Sequence, residues 1–338
     1  MKISSLLALF TVCAPFAAHA QTNIAPDALP MAPKSAATAD AFVWRFMPPV
    51  GSRWTMRSFT RAVSVGQVPA TKDNKAASMK FTMIQKLTAD YDVLSRDALG
   101  ATTIRLTLRN LKSDVTMVSD GKTIKSPLAK NANPNAANGA TLTVKQSSEG
   151  KVWGVVGMRA FQRKLFEASG VGDAATINTI LDANPMTKDS EMIKSMSMMA
   201  GTLPTSPVRL GESWTYNVSL PQPLSFDISG TRTIKALDSE VAVVADSATY
   251  TGGKSEMKMP TTPQMGNFSM DFSKLIGVVN GVSRVQRSSG LPLESTSNQT
   301  LKGSITTKIP ASKGVAAQNL TVPINAISSA RVVLEPRG

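Results

Sequence analysis

The stretch LPTSPVRLGESWTYNVSL, residues 203–220, contains the strongest strand signal of the chain and decides the predicted fold class. From Trp214 to Leu220 apolar and polar residues alternate, which is the pattern of a β-strand with one buried face. The segment PVGSRWTMR, residues 49–57, begins in the same way, because Gly51 and Gly211 each lie three residues before a Trp-Thr pair. This repeat predicts two β-rich halves that open alike.

Short alternating runs, separated by turn-forming residues, fill most of both halves. The dipeptide Asp120-Gly121 suits the positive φ angles of a hairpin turn, whereas residues 157–203 show apolar residues at helical spacing. We therefore predict a β-rich α+β protein, with curved antiparallel sheets in two halves and three short helices between them. The predicted first half is 42–156, the helical segment is 157–203, and the second half is 204–335.

Other parts of the two halves are predicted to be long loops or late strands. Residues 64–77 are mostly polar and predict a long loop, and residues 252–266 predict another. Residues 304–309 and 320–334 predict separate late strands. Pro323 favours a sheet edge or a break there, because proline cannot donate to a strand ladder.

The first twenty residues carry the marks of a secretory signal peptide. Lys2 precedes a short apolar run, and Ala18-His19-Ala20 predicts cleavage after Ala20. Residues 21–41, rich in alanine and proline, predict a disordered leader. The mature protein is expected to be periplasmic or secreted.

Cleavage at that position would remove both Cys13 and His19, which are the chain's one cysteine and one histidine. The predicted mature protein then has no Cys-His or Ser-His-Asp machinery and no Cys/His zinc site. We therefore predict a protein that is not an enzyme and has neither cofactor nor metal. A hydrolase without histidine or cysteine is the minor alternative.

The net charge of +14 predicts an anionic partner surface. For an exported chain that surface would be the envelope, in the form of lipopolysaccharide or phospholipid headgroups, but a merely basic and soluble surface is the favoured interpretation of the charge. Nucleic acid is not predicted, because lysines and arginines are scattered and aromatic residues make up 5%. No later apolar run reaches the roughly 20 residues of a transmembrane helix.

Three short motifs carry a resemblance to a known family. They are an Asp-x-x-Gly-x-Thr hairpin at residues 97–104, Glu-Gly-Lys-Val at 149–152, and a proline-rich Gly-Glu-Ser-Trp signal at 204–214. In these motifs the chain resembles a family of uncharacterised bacterial secreted β-rich proteins of similar length. The resemblance implies a β-rich exported domain and brings no established activity. In general style the fold is similar to that of periplasmic carriers of lipids and lipoproteins.

The candidate ligand contacts are large apolar side chains of the helical segment and the two repeated tryptophans. They are Trp54, Trp214, Phe161, Phe166, Met192, Met196 and Met199. Methionine-rich surfaces adapt to varied apolar ligands, and thioethers also select Cu(I). Packing in the core is the alternative role for the same side chains. We predict a lipid or other apolar or amphiphilic ligand bound between helices and sheet, and an envelope scaffold protein without a small-molecule ligand is the alternative.

Overall fold

The computed structural model describes residues 41–68, 77–125, 133–170, 173–183, 187–219, 226–252, 257–259, 268–309 and 318–337. The predicted signal peptide lies outside these residues, and so does the predicted leader except for Ala41. Fourteen strands are present: β1 Arg53–Val68, β2 Ala77–Arg96, β3 Thr102–Ser119, β4 Lys122–Lys125, β5 Thr141–Gln146, β6 Val152–Val156, β7 Ser213–Ser219, β8 Phe226–Leu237, β9 Val241–Gly252, β10 Met257–Met259, β11 Phe268–Asp271, β12 Ile276–Gln286, β13 Pro292–Ile309 and β14 Gln318–Pro336.

All fourteen strands belong to one antiparallel sheet, in the order β6-β5-β3-β2-β1-β14-β13-β12-β9-β8-β7, with β4, β10 and β11 added beside it. The first and last strands of the chain join the two predicted halves, since β1 pairs with β14 from Trp54↔Pro336 to Gly66↔Ile324. Within the described residues β6 and β7 are the unpaired ends, so the sheet is open. The predicted fold class is confirmed, and the two halves form one continuous sheet.

The strands are longer than the sequence pattern indicates. β1 continues to Val68 and β2 begins at Ala77. The described residues of the predicted loop at 64–77 therefore belong to strands. The predicted loop at 252–266 contains β10, and the two late strands are parts of longer ones, β13 and β14. At Pro323 β14 pairs with β13 alone, so the proline stands where its missing N–H breaks no ladder.

The three predicted helices are present between the halves. They are α1 Met158–Ser169, α2 Ala174–Ala183 and α3 Asp189–Ala200. Gly170 ends α1 in the left-handed conformation, as the sequence predicts. The side chain of Asp189 accepts a hydrogen bond from the Met158 N–H (3.1 Å) and ties the start of α3 to the start of α1.

A segment before β1, residues 42–50 and here named the strap, crosses one end of the sheet. Phe42 pairs with Val208 in both directions, at 2.7 and 2.9 Å, beside β7. The Phe46 N–H donates to Ser148 O in the turn between β5 and β6, and the next residue donates to the turn between β12 and β13. One short segment thus reaches strands from opposite sides of the strand order, which requires a strongly curved sheet. We call this end lower and the opposite end upper.

Helix α3 lies across the gap between the two end strands. It contacts both β6 and β7, and Ser197 Oγ donates to Val152 O of β6 (2.8 Å). The largest buried cluster forms where the helices and the strap meet the lower half of the sheet. The face of the sheet that carries this cluster is named the inner face.

Candidate functional site

The repeated Gly-x-x-Trp signals occupy equivalent positions at the lower end. Gly51 and Gly211 have φ angles of 82° and 83°, a conformation that favours glycine. Each N–H bonds to a neighbouring strand, to Val93 O and Ile234 O respectively. Each turn places its tryptophan at the start of a strand on the inner face.

The predicted ligand contacts are distributed over three separate groups. Trp54, Phe161 and Met192 are buried in the lower cluster, and Met196 packs against it. Phe166 lies in a small cluster between α1 and α2, and Trp214 belongs to a third cluster with the strap. Met199 is in α3, but its side chain lies outside the described ones. The six described side chains belong to separate packed clusters and do not line one common site.

A row of registered residues crosses the middle of the inner face. It is named the transverse row and contains, from β3 to β7, Ser113, Gln85, Thr60, Ala330, Ser297, Gly281, Asp246, Arg232 and Trp214. Its central members are small, whereas the lower cluster contains large ones such as Trp54 and Leu108. Large side chains therefore fill the lower end of the curved sheet, and the central strands of the transverse row carry small ones.

Two polar side chains of the transverse row have no hydrogen-bond partner within the described residues. The Thr60 hydroxyl is on a residue that is 9% exposed, and the half-buried Gln85 amide is its registered neighbour. Buried polar groups are nearly always bonded to protein, water or ligand. Thr60 is therefore an exception to this rule among the described residues, and Gln85 lies beside it.

An apolar group lies directly above these residues on β2 and β3. Phe81, Met83 and Met117 are buried together, and Met79 and Val115 pack against them. Met83 is two residues from Gln85 on the same face of β2. The inner face thus passes from polar to apolar within one step along the strand.

At the other end of the transverse row a buried ion pair joins β8 and β9. Arg232 Nε lies 3.1 Å from Asp246 Oδ2, and their side chains are 8% and 11% exposed. The Tyr216 hydroxyl donates to Asp246 Oδ1 (2.8 Å), and Arg232 Nη1 donates to the hydroxyl (2.8 Å) and carbonyl (3.0 Å) of Thr202. Burial and the Asp246 charge raise the pKa of Tyr216, so its hydroxyl remains a donor.

Aromatic rings enclose the Arg232 guanidinium. Its carbon is 5.0 Å from the Tyr216 ring centre and 6.0 Å from that of Trp44 in the strap, distances typical of cation–π contacts. Trp214 Nε1 donates to Thr202 O (2.9 Å), just after α3. The cluster around Arg232 therefore joins the strap, the end of α3 and strands β7 to β9, and its role is structural. No spacing pattern in the sequence indicated this cluster.

The outer face carries a second charged network at the lower end. Asp90 and Asp92 of β2 are buried beneath Arg105, Arg109 and Arg337. Burial raises the pKa of Asp90, but hydrogen bonds from Arg109 and Arg337 outweigh it and hold the pKa below its usual range. Arg105 and Arg109 are thus paired with carboxylates of the same chain.

One surface depression adjoins a predicted contact. It has a volume of about 230 Å³ beside Trp214 and is lined by polar and apolar residues at 201, 203–208 and 212–215. Among the described residues no group of three histidine, cysteine or acidic side chains is placed to hold a metal ion. Nor does any described helix have the length and hydropathy needed to cross a membrane.

Comparison with protein families gives one match. Residues 100–292 match the model of a family of unknown function, DUF6263. The match includes the motifs at 149–152 and 204–214 and confirms the resemblance to an uncharacterised family. The search of curated proteins gave no match.

Solved structures show weak likeness in fold. One is lipovitellin, in a study of its lipid–protein interactions, at 8% identity and a TM-score of 0.37, covering 85% of this chain and 25% of that one. This chain therefore spans about a quarter of the lipovitellin chain. An outer membrane channel from Pseudomonas putida F1 has 8% identity and a TM-score of 0.20, and the match covers 88% of this chain and 99% of that one. A mutant porin of Rh. blastica has 8% identity and a TM-score of 0.18, and the match covers 82% of this chain and 99% of that one.

Proposed function

The chain belongs to the family of unknown function DUF6263, and we propose that it is an exported, non-catalytic protein that binds an apolar or amphiphilic ligand on the inner face of its sheet. The ligand lies above the packed lower cluster, on the transverse row and the apolar group beside it. Export rests on the predicted signal peptide.

The observation that carries the proposal is the pair of polar groups without partners, at Thr60 and Gln85. A folded chain gains nothing from burying a hydroxyl that bonds to nothing, since desolvating it costs about 1–3 kcal/mol. A ligand with one polar group would satisfy these donors and acceptors. Its apolar part would then lie on Phe81, Met83 and Met117, one step along the same strands.

The change in side-chain size along the inner face supports the same site. Below the transverse row, Trp54, Phe161 and Leu108 fill the curve of the sheet. In the row itself Ala330, Ser297 and Gly281 take their places, so the inner face carries less side-chain bulk at this level. The methionines beside the row suit a ligand of variable shape.

Native mass spectrometry with lipid extraction tests the proposal on mature protein purified from the periplasm of its own host. We expect a stoichiometric bound lipid and uptake of a fluorescent fatty acid by the stripped protein. A protein that is free of ligand and takes up no fatty acid would overturn the proposal and favour the scaffold alternative.

Two substitutions on β1 locate the site. Thr60→Val removes the inner hydroxyl and should weaken fatty-acid binding, because the ligand loses a hydrogen bond. Thr55→Val makes the same change on the outer face of the same strand and is the matched control. Equal affinities in the two variants would contradict the placement of the ligand on the transverse row.

A further inference from the structure

Charges on the outer face differ between its lower and upper halves. In the lower half several arginines are paired with carboxylates of the protein: Arg57 is 2.9 Å from Glu335, and Arg331 is 2.7 Å from Glu294. The Asp90 and Asp92 network belongs to the same half. Cations on the upper half form no ion pair within the described residues.

β-branched side chains that are exposed or, at Val63, half-buried occupy that upper half. Val63, Ile327, Thr300 and Val278 are registered neighbours across β1, β14, β13 and β12. The next outward-facing row contains Val65, Asn325, Lys302 and Ile276. Ile327 is 58% exposed, Ile276 55%, and Val65 and Val278 42% each. We name Val63, Val65, Ile276, Val278 and Ile327 the upper outer patch; three strand spacings make it about 14 Å wide.

Three cations surround the patch. Lys302 lies within its second row, Lys80 is the registered neighbour of Val65 on β2, and Arg61 is two residues from Val63 on the same face of β1. All three are exposed.

Carboxylates on the same face lie outside the patch. Asp114 is on β3 and Asp227 on β8, each two strands beyond the patch. Asp271 pairs with Thr306, higher on β13. Apolar side chains framed by unpaired cations are the surface chemistry that binds the headgroup region of an anionic bilayer.

We propose that the upper outer patch docks onto the surface of an anionic phospholipid bilayer. The β-branched side chains enter the headgroup region, and Arg61, Lys80 and Lys302 contact lipid phosphates. This inference rests on the outer face alone and does not depend on ligand binding by the inner face.

The size of each contribution follows from its chemistry. Each lysine or arginine near an anionic bilayer raises the coefficient for partition of the protein from water onto the vesicle about fivefold. The variant Arg61→Gln/Lys302→Gln should therefore bind anionic vesicles about 25-fold more weakly, and Ile327→Ser about tenfold more weakly. All these residues are exposed, so the fold should be unaffected.

Vesicle flotation of the mature protein tests the proposal. Vesicles of phosphatidylcholine, with and without phosphatidylglycerol, are compared at low and high salt. We expect binding to vesicles that contain phosphatidylglycerol and weaker binding in high salt, because salt screens exposed charges. Two variants are matched controls. Arg57→Gln removes a positive charge from the lower half, and Leu210→Ser removes an apolar side chain whose exposure, 57%, is close to the 58% of Ile327.

Three results would overturn the proposal. Binding that is independent of phosphatidylglycerol would exclude recognition of anionic lipid. A loss in Arg57→Gln equal to that in Lys302→Gln would show that net charge, and not the patch, controls binding. Absence of vesicle binding together with self-association that Ile327→Ser abolishes would assign the patch to an interface between copies of this chain.

Discussion

Replacing Arg232 with methionine should reveal how strongly the buried ion pair stabilises the fold. The substitution keeps much of the apolar stem but removes the guanidinium beside Asp246, whose side chain is 11% exposed. Breaking a buried pair on one side costs about 3–5 kcal/mol, because the remaining charge keeps its desolvation penalty. We expect the lower end of that range, since the Tyr216 hydroxyl still donates to Asp246.

The matched control is the exposed pair Arg57–Glu335, whose side chains are 63% and 49% exposed. Solvent screens such a pair, and its loss typically costs about 0.2–1 kcal/mol. Arg57→Met should therefore destabilise the protein several-fold less than Arg232→Met.

Urea unfolding followed by tryptophan fluorescence measures both variants. Trp44 and Trp214 lie beside the Arg232 cluster and report on it directly. The double variant Arg232→Met/Asp246→Leu should recover most of the unfolding free energy that Arg232→Met loses, because it removes both buried charges together. If Arg232→Met costs no more than Arg57→Met, the assignment of a strongly stabilising buried pair is refuted.

Three further predictions concern the strap, acid stability and the lower cluster. Gly290→Ala should lower the free energy of unfolding by more than Gly121→Ala. Both glycines have positive φ, but only at Gly290 would an added Cβ overlap the backbone of the strap. Equal losses by urea unfolding would contradict strap docking. The lowered pKa of Asp90 means that its stabilising contribution is present above about pH 4 and is lost as the pH falls through the folded pKa. The unfolding free energy should therefore decline below about pH 4 and decline less in Asp90→Asn; parallel profiles would contradict this. Phe161→Ala should cost about 3–5 kcal/mol, because a buried ring leaves a cavity. A loss below about 1 kcal/mol would show that Phe161 faces open space.

Much of the local structure was predictable because it depends on neighbouring residues. The hairpin at Asp120-Gly121 has the expected positive φ angles, 49° and 77°. The strands at 141–146 and 152–156 and the three helices also follow from period and turn chemistry. The strand lengths were less predictable, since the polar residues at 64–68 are strand through their pairing with β2.

The candidate site was only partly predictable. Side-chain size and apolar character indicated Trp54, Phe161 and Met192, but these signals cannot distinguish a filled core from a ligand surface. Thr60 and Gln85 gave no sequence signal, because a threonine and a glutamine in an alternating strand are unremarkable until their neighbours are known. Their importance follows from burial without a partner, which is a property of the assembled sheet.

The sequence by itself determined the type of each element and the turns between them, because φ preferences and alternation act over a few residues. Only the tertiary structure decided that Trp54 lies opposite Pro336 and that the two halves form one sheet. It also decided that the strap crosses the lower end. The transverse row likewise assembles from nine strands, some of which are far apart in the sequence. These arrangements depend on register between strands far apart in the chain, and register is set by the packing of one whole face, which no local pattern encodes.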